Sequence, residues 1–177
     1  MGFILTPEEA QALIDKDPKN KDILFPYLNG EDLNSRPDQS PSRWVINFKD
    51  WPIEKAQEYT ACFSIVTDRV KPYRDELINK GKQIHEYDYW KFWDKRLESY
   101  AAIAGMQRVL VIAAVSRTVA FSFVLKNQVY AHKLIVFAIN SNFDFSILQS
   151  NFHYSWVWQF SSTMKLDLNY RVYESKS

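Results

Sequence analysis

The alternation of apolar and polar residues is strictest near the carboxyl end of the chain, over residues 164–170. Side chains on a β-strand point alternately to opposite faces, so this spacing predicts one extended strand. Its apolar face would carry Met164, Leu166, Leu168 and Tyr170. Its polar face would carry Lys165, Asp167 and Asn169. The pattern is typical of a strand that covers a core on one side and is solvated on the other.

A first helix is predicted near the amino terminus. The sequence Thr6-Pro7-Glu8-Glu9 supplies a capping threonine, a proline at the first helical position and a glutamate that completes a capping box. Asp17-Pro18 should end this helix, because proline disfavours helical geometry in the residue before it. Residues 23–42 combine apolar runs with turn sequences, which predicts an ordered loop before a strand at 43–48.

Two longer stretches have the three- and four-residue spacing of a helix with one buried face. The first begins at Ile53, is kinked or interrupted at Pro72 and closes at Gly81. Its buried stripe would be Ala56, Tyr59, Phe63, Val66 and Val70. The second runs from Asp144 to Phe160, and we expect a single helix there. Its buried stripe would be Leu148, Phe152, Trp156 and Phe160.

Between these helical stretches lie short apolar segments rich in β-branched and aromatic residues, which are typical of strands. The predicted strands are Val109–Val115, Thr118–Leu125, Gln128–Ala131 and Lys133–Ile139. Connections this short favour antiparallel pairing. The chain is therefore predicted to be an α+β protein, a mostly antiparallel twisted sheet or meander with flanking helices. Its length predicts one domain over residues 1–177, a lobe of something larger being the other possibility.

Composition excludes some functions and locates the positive charge. The chain has 4 glycines, too few for a clustered nucleotide-binding loop, and its net charge is +1. Residues 101–177 nevertheless hold 7 Lys and Arg against 3 Asp and Glu. This basic part could attract a polyanion, although uneven surface charge alone explains it equally well. The single cysteine, Cys62, lies in an apolar run and is predicted to be a core residue.

The chemistry-bearing residues do not form a known catalytic motif. His85, His132 and His153 are scattered, with no partner at metal-ligand spacing, and no serine lies in a GxSxG turn. Nuclease and adenine-methyltransferase motifs are also missing from the sequence. We therefore expect this chain to bind a partner, and by itself neither to methylate nor to cut DNA. No membrane segment or signal peptide is expected, which favours a cytoplasmic protein.

The polar face of residues 164–170 carries side chains that match DNA base edges. Lysine suits guanine, aspartate accepts from cytosine N4, and asparagine can pair with adenine in the major groove. The alternative is an ordinary solvated face. A second candidate surface is the segment 87–100, where aromatic and basic residues interleave. Such a segment can stack single-stranded bases, although the spacing of Trp90 and Trp93 is also typical of core packing.

Several segments together resemble one known family. They are Phe25-Pro26-Tyr27-Leu28-Asn29-Gly30-Glu31-Asp32-Leu33-Asn34, Arg36-Pro37-Asp38-Gln39-Ser40-Pro41-Ser42-Arg43-Trp44, Arg108-Val109-Leu110-Val111-Ile112, Leu148-Gln149-Ser150-Asn151-Phe152-His153 and Ser161-Ser162-Thr163-Met164-Lys165. They look like the target recognition domain of the large single-chain restriction–modification enzymes typified by MmeI. That lobe is similar to a TaqI-like specificity domain. Such enzymes, of type IIG or IIL, carry a nuclease and an adenine-N6 methyltransferase on the same polypeptide.

The resemblance implies that this chain is the recognition lobe alone and binds double-stranded DNA in the major groove. Its partner would be the methyltransferase domain of the same polypeptide, with S-adenosylmethionine and Mg²⁺ in the parts outside this chain. Carried over by position, the DNA-binding residues would be Ser116, Arg117, His132, Lys133, Ser161, Ser162, Lys165, Asp167 and Asn169. Relatives often have a charged residue or proline after the first meander strand, where this chain has Ala113-Ala114.

Two other functions stay open from the sequence. The chain could be the recognition part of a phage-defence methyltransferase that has no nuclease. It could instead be a module that binds protein or RNA through the aromatic segment around Trp90. The family resemblance implies a bacterial, cytoplasmic protein.

Overall fold

The computed structural model describes residues 2–81, 88–92, 96–164 and 167–170, without the side chain of Met164. The chain folds into two compact units. The first unit joins residues 1–27 to 42–95, and the second joins 28–41 to 96–177. This interleaved division was not predicted from the sequence, because it depends on long-range packing. The assignment of residues 1–177 to a single domain stays a prediction.

The amino-terminal part alternates short strands with helices. Its elements are β1 Ile4–Leu5, α1 Pro7–Lys16, β2 Leu24–Leu28, α2 Gly30–Ser35, β3 Arg43–Ile46, α3 Ile53–Gln57 and α4 Thr60–Asn79. The capping box of α1 is confirmed, with reciprocal bonds between Thr6 and Glu9 at 2.9 and 3.2 Å. Strand β3 pairs antiparallel with both β1 and β2, aligning Val45 with Ile4 and with Phe25.

The predicted loop over residues 23–42 is wrong, because it contains β2 and α2. The side chain of Asn29 accepts hydrogen bonds from the backbone N–H groups of Glu31 and Asp32, and so caps α2. Asn29-Gly30 is one of the turn sequences of this stretch, and in the structure it begins a helix. A helix of six residues is too short to show helical periodicity in its sequence. Its local signals were the Asn29 cap and the acidic residues Glu31 and Asp32 in its first turn.

The first of the two longer helical stretches begins at Ile53 as predicted, and it consists of two helices, α3 and α4. Pro72 lies inside α4 without ending it. Gly81 follows the helix with φ +70°, and its N–H donates to the carbonyl of Ile78 at 2.8 Å. Glycine accommodates this left-handed geometry without steric cost, so the predicted stop at Gly81 is confirmed.

The aromatic segment is only partly described. Tyr89 is buried, and the indole N–H of Trp90 donates to the carbonyl of Trp51 at 3.0 Å. Residues 88–92 form turns rather than a helix. These contacts favour core packing over a stacking platform for Tyr89 and Trp90. Trp93 lies outside the described residues.

The second unit contains the meander. The remaining elements are α5 Leu97–Ala102, β4 Arg108–Ala113, β5 Val115–Ser116, β6 Ser122–Leu125, β7 Val129–Tyr130, β8 Leu134–Phe137, α6 Asn142–Leu148, α7 Asn151–Phe160, β9 Ser162–Met164 and β10 Asp167–Asn169. Strand β4 lies between β6 and β8, antiparallel to both. The antiparallel α+β architecture is confirmed.

Strand β4 is buried on both faces, which explains its unbroken apolar sequence. Val109 and Val111 pack with Leu134 and Tyr130 in one buried cluster. Leu110 and Ile112 pack in a second cluster, together with Val157 and Leu168. The meander is therefore the centre of the second unit's core. In the first unit Cys62 is fully buried, and burial raises the pKa of its thiol to about 12, so its predicted core position is confirmed.

The single strand predicted over residues 164–170 is wrong. Met164 and Asp167 are antiparallel partners, so β9 and β10 form a hairpin, and β10 also pairs with β5. Lys165 and Leu166 lie outside the described residues. The predicted alternation is confirmed within β10, where Leu168 is 1% exposed while Asp167 and Asn169 are half-buried.

The single helix predicted over residues 144–160 is also wrong. The chain forms α6 and α7, because the hydroxyl of Ser150 accepts from the N–H of His153 and starts a second helix. The predicted buried stripe is largely exposed: Phe152 is 84% and Phe160 63% accessible. Within the described residues, no helix is both long and apolar enough to cross a bilayer.

The burial of Leu168 can be tested against a matched exposed leucine. We expect Leu168→Ala to reduce the free energy of unfolding by about 2–5 kcal/mol, because it removes buried methyl groups from a packed cluster. Leu125→Ala should change it by less than about 0.5 kcal/mol, since Leu125 is 74% exposed. Urea denaturation of both variants measures the difference. Equal losses would contradict the assigned register of β10.

Candidate functional site

The backbone of Ala114 joins the two three-stranded sheets of the second unit. Its N–H donates to the carbonyl of Lys133 at 2.8 Å, and its carbonyl accepts from the N–H of Tyr170 at 2.8 Å. Ala114 lies between β4 and β5, so it links the β6–β4–β8 meander to the β5–β10–β9 sheet. As a result, the connection before β8 and the end of β10 flank the same residue.

This arrangement brings two predicted site segments onto neighbouring strands. Leu168 pairs with Ser116, and Asn169 pairs with Val115. Arg117 follows β5 directly, and its Nε lies 3.5 Å from Oδ1 of Asp167. The arginine side chain is 84% exposed and the aspartate side chain 41% exposed. Both charged groups are therefore free to contact a ligand in solvent without opening the core.

A cleft of about 510 Å³ opens beside this ion pair. Ser116, Arg117 and Asp167 line it from the sheet, as does Thr118. Asn34 and Gln39 line it from the α2 side. These two were not predicted as site residues, although both lie in the family-like segments. The sequence feature that could have identified them is a pair of polar residues flanking a proline turn, and this feature by itself indicates only a loop.

The conformation of Gln39 is fixed by the turn that carries it. Its φ is +50°, an unusual value for a residue with a side chain. Its side-chain amide donates to the carbonyl of Pro37 at 3.0 Å, and its backbone N–H donates to the carbonyl of Arg36 at 3.0 Å. The loop therefore holds a polar side chain at the cleft through bonds within residues 36–39.

The other predicted site residues lie around this sheet with different exposures. His132 and Lys133 are exposed in the connection before β8, and Ala114 binds the backbone of Lys133. Ser162 is exposed and pairs with Asn169 across the hairpin. Ser161 is half-buried, and its N–H caps α7 by donating to the carbonyl of Val157. Lys165 lies outside the described residues.

The end of β10 is anchored by aromatic packing. The ring of Tyr170 lies 5.8 Å from that of Phe121 and 6.1 Å from that of His153. Its hydroxyl lies 3.5 Å from Nε2 of His153, while Nδ1 of the same ring lies 2.7 Å from the carbonyl of Leu148. Burial raises the pKa of the Tyr170 phenol, so the hydroxyl stays protonated at neutral pH. The strand that carries Asp167 and Asn169 is thus held against α7.

The chemistry of the cleft is recognition by hydrogen bonds. Its polar lining combines guanidinium, hydroxyl and amide donors with one carboxylate acceptor. Among the described residues, no group of three or more His, Cys, Asp or Glu could hold a metal ion. Donors and acceptors on a solvent-exposed sheet are suited to reading the edges of a polar ligand.

A match to a known protein family shows which family this chain belongs to. The family model for the MmeI target recognition domain matches residues 1–173. The chain belongs to this family. The predicted resemblance is confirmed, and the match covers nearly the whole of this chain. No curated protein matches the chain.

A solved structure has a similar fold. It is that of the Type IIL restriction-modification enzyme MmeI in complex with DNA, with a TM-score of 0.62 and 16% identity. The alignment covers 96% of this chain and 22% of the MmeI chain. At this identity the similarity establishes the fold. This chain therefore spans about a fifth of the length of that MmeI chain.

The Arg117–Asp167 pair should matter little for folding. Exposed ion pairs contribute about 0–1 kcal/mol, so we expect Asp167→Asn to change the free energy of unfolding by less than about 1 kcal/mol. Urea denaturation at low and high salt measures this change. Leu168→Ala, one position along the strand, is the destabilising control. A loss of several kcal/mol on Asp167→Asn would show that this carboxylate is structural instead.

Proposed function

We propose that this domain reads the DNA target sequence for a larger restriction–modification protein, through base edges in the major groove. One observation carries the proposal within this family. The segments around Ser116-Arg117 and Asp167–Asn169, predicted separately, lie on paired strands beside one polar cleft. MmeI itself has been solved with DNA, which supports a nucleic acid as the ligand of the shared fold.

The side chains suit base recognition in different ways. Arginine pairs bidentately with guanine, aspartate accepts from cytosine N4, and asparagine pairs with adenine. Arg117, Asp167 and Asn169 supply one of each. The Arg117–Asp167 contact is solvent-exposed, so exchanging it for contacts with bases costs little. Lys133 and His132, exposed beside Ala114, are suited to phosphate contacts or to a further base.

The catalytic parts would lie elsewhere in the parent polypeptide. In this proposal the parent is an adenine-N6 DNA methyltransferase and a type II restriction enzyme, with S-adenosylmethionine and Mg²⁺ bound outside this chain. The domain's coverage of only 22% of the MmeI chain leaves ample length for both activities. The methyltransferase domain would then hold the recognition domain over the same DNA. This chain contributes sequence choice and no chemical step.

The isolated domain should bind duplex DNA weakly. With a net charge of +1, we expect a Kd in the non-specific range of about 10⁻⁴ to 10⁻⁶ M, and affinity that falls as salt rises. Fluorescence anisotropy with a labelled duplex at several salt concentrations measures both. A single-stranded oligonucleotide of the same sequence is the control, and stronger binding to it would favour an RNA-type ligand. Nanomolar, salt-insensitive binding would contradict the electrostatic argument.

Base reading predicts an effect at a single position of the target. We expect Asp167→Ala to remove the preference for one base, worth about 1–3 kcal/mol, because cytosine N4 loses its acceptor. The measurement is methylation or cleavage by the full parent protein across a library of randomised sites.

The control for this experiment is Glu98→Ala, which removes an exposed carboxylate from α5, in the same unit but outside the cleft. It should leave the target sequence unchanged. If the recognised sequence is unchanged after simultaneous replacement of Lys165, Asp167 and Asn169, these side chains are merely solvated and their proposed role in reading bases is wrong.

A further inference from the structure

The two helices α6 and α7 carry an exposed apolar surface that the proposed DNA site does not use. Seven of the eleven large hydrophobic side chains that are exposed in the described parts of the chain belong to these helices. The most accessible are Phe152 at 84%, Phe143 at 72% and Phe160 at 63%. We name this set of exposed residues the α6–α7 aromatic surface. Apolar residues so concentrated on one part of a protein mark an interaction site.

The sequence of α7 shows why packing within its own domain leaves most of the helix's apolar residues exposed. Successive residues are turned by about 100° around a helix. Val157 faces the core and is fully buried. Trp156 and Phe160 lie on one side of that buried line, at 51% and 63% exposure, and Tyr154 lies on the other. Apolar residues therefore cover about two thirds of the helix circumference, while the domain buries only a narrow line.

Contacts within the domain order part of this surface before any partner binds. Ser141 and Ser150 cap the two helices through their hydroxyl groups. The rings of Trp156 and Phe160 lie 5.4 Å apart, and that of Trp156 stacks on His153 at 6.3 Å with an interplanar angle of 16°. A preorganised aromatic surface loses little side-chain entropy on association, so it is suited to stable packing.

Charge argues against DNA as the partner of this surface. Residues 141–163 contain no Lys or Arg, and Asp144 is their single acidic residue. Contacts with phosphates depend on cations, which this surface lacks. Its chemistry is complementary to an apolar protein surface.

Size argues against a second copy of the chain. Helices of seven and ten residues are about 10 and 15 Å long, so they present a few hundred Å². A stable complex between free proteins buries about 800 Å² on each partner. A domain tethered on the same polypeptide needs less area, because its effective concentration is in the millimolar range.

We propose that the α6–α7 aromatic surface packs against an apolar surface of another domain of the same polypeptide, and so fixes the orientation of the recognition domain. This rests on the proposed function, in which the domain is part of a larger restriction–modification protein. The family relationship supports such a partner, since the domain matches only 22% of the MmeI chain.

Thiol labelling of the full parent protein, without DNA, tests the proposal. Phe152→Cys places a thiol on the aromatic surface, and Ser155→Cys places one on the exposed polar side of the same helix. Phe160→Cys is a second probe of the aromatic surface. The native Cys62 is fully buried, so it should not react. Mass spectrometry of the α7 peptide gives each labelling rate with maleimide, normalised to the rate in urea.

We expect Phe152→Cys and Phe160→Cys to react at least tenfold more slowly than Ser155→Cys in the native parent, and at similar rates in the isolated domain. Equal rates in the parent would overturn the proposal. Protection that appears only on adding duplex DNA would overturn it in favour of a DNA contact. Protection in the isolated domain that is lost on dilution would indicate self-association instead. None of these labelling rates depends on which DNA sequence the protein recognises. A negative result would therefore contradict the packing proposal and leave the proposed DNA recognition to be tested by the Asp167→Ala experiment.

Discussion

Two hydrogen bonds at the backbone of Ala114 connect the elements on which the candidate site depends. Strand β4 is buried on both faces and ends at Ala113. Ala114 then binds Lys133 through its N–H and Tyr170 through its carbonyl. Its side chain contributes little to this role, because both bonds are made by the backbone. The pair Ala113-Ala114 therefore occupies a structural junction.

Contacts on the core side fix the strands of the candidate site, while its charged side chains remain exposed to solvent. Gln149, between α6 and α7, accepts from the N–H of Phe121 at 3.0 Å and donates to the carbonyl of Val119 at 3.2 Å. Tyr170 packs on the same phenylalanine. These contacts fix the segments on either side of the sheet, whereas Arg117 and Asp167 make one exposed contact with each other. Rigidity and recognition thus depend on different residues.

Local patterns predicted the features of the fold that local physics determines. The capping box of α1, the buried run of β4 and the alternation within β10 all follow from neighbouring residues. The β9–β10 hairpin could not be predicted in this way, since alternation does not distinguish a strand that continues from one that turns back. Lys165-Leu166, between these strands, contains no Gly, Asn or Pro to indicate a turn. The positions of Asn34 and Gln39 at the cleft could not be predicted either, because tertiary packing brings them next to residues that are distant in sequence.

The incorrect prediction for α7 has a different origin. Periodicity identifies an apolar stripe but not the surface that covers it. Val157 of α7 and Leu168 of β10 share one buried cluster, so the helix and the site strand depend on the same core. The outer residues of α7 remain exposed, and Asp167 of β10 makes an exposed ion pair with Arg117, which follows β5. In the proposed function, polar side chains such as Arg117 and Asp167 could be exchanged without disturbing either the core or the surface proposed to hold the domain in the parent protein.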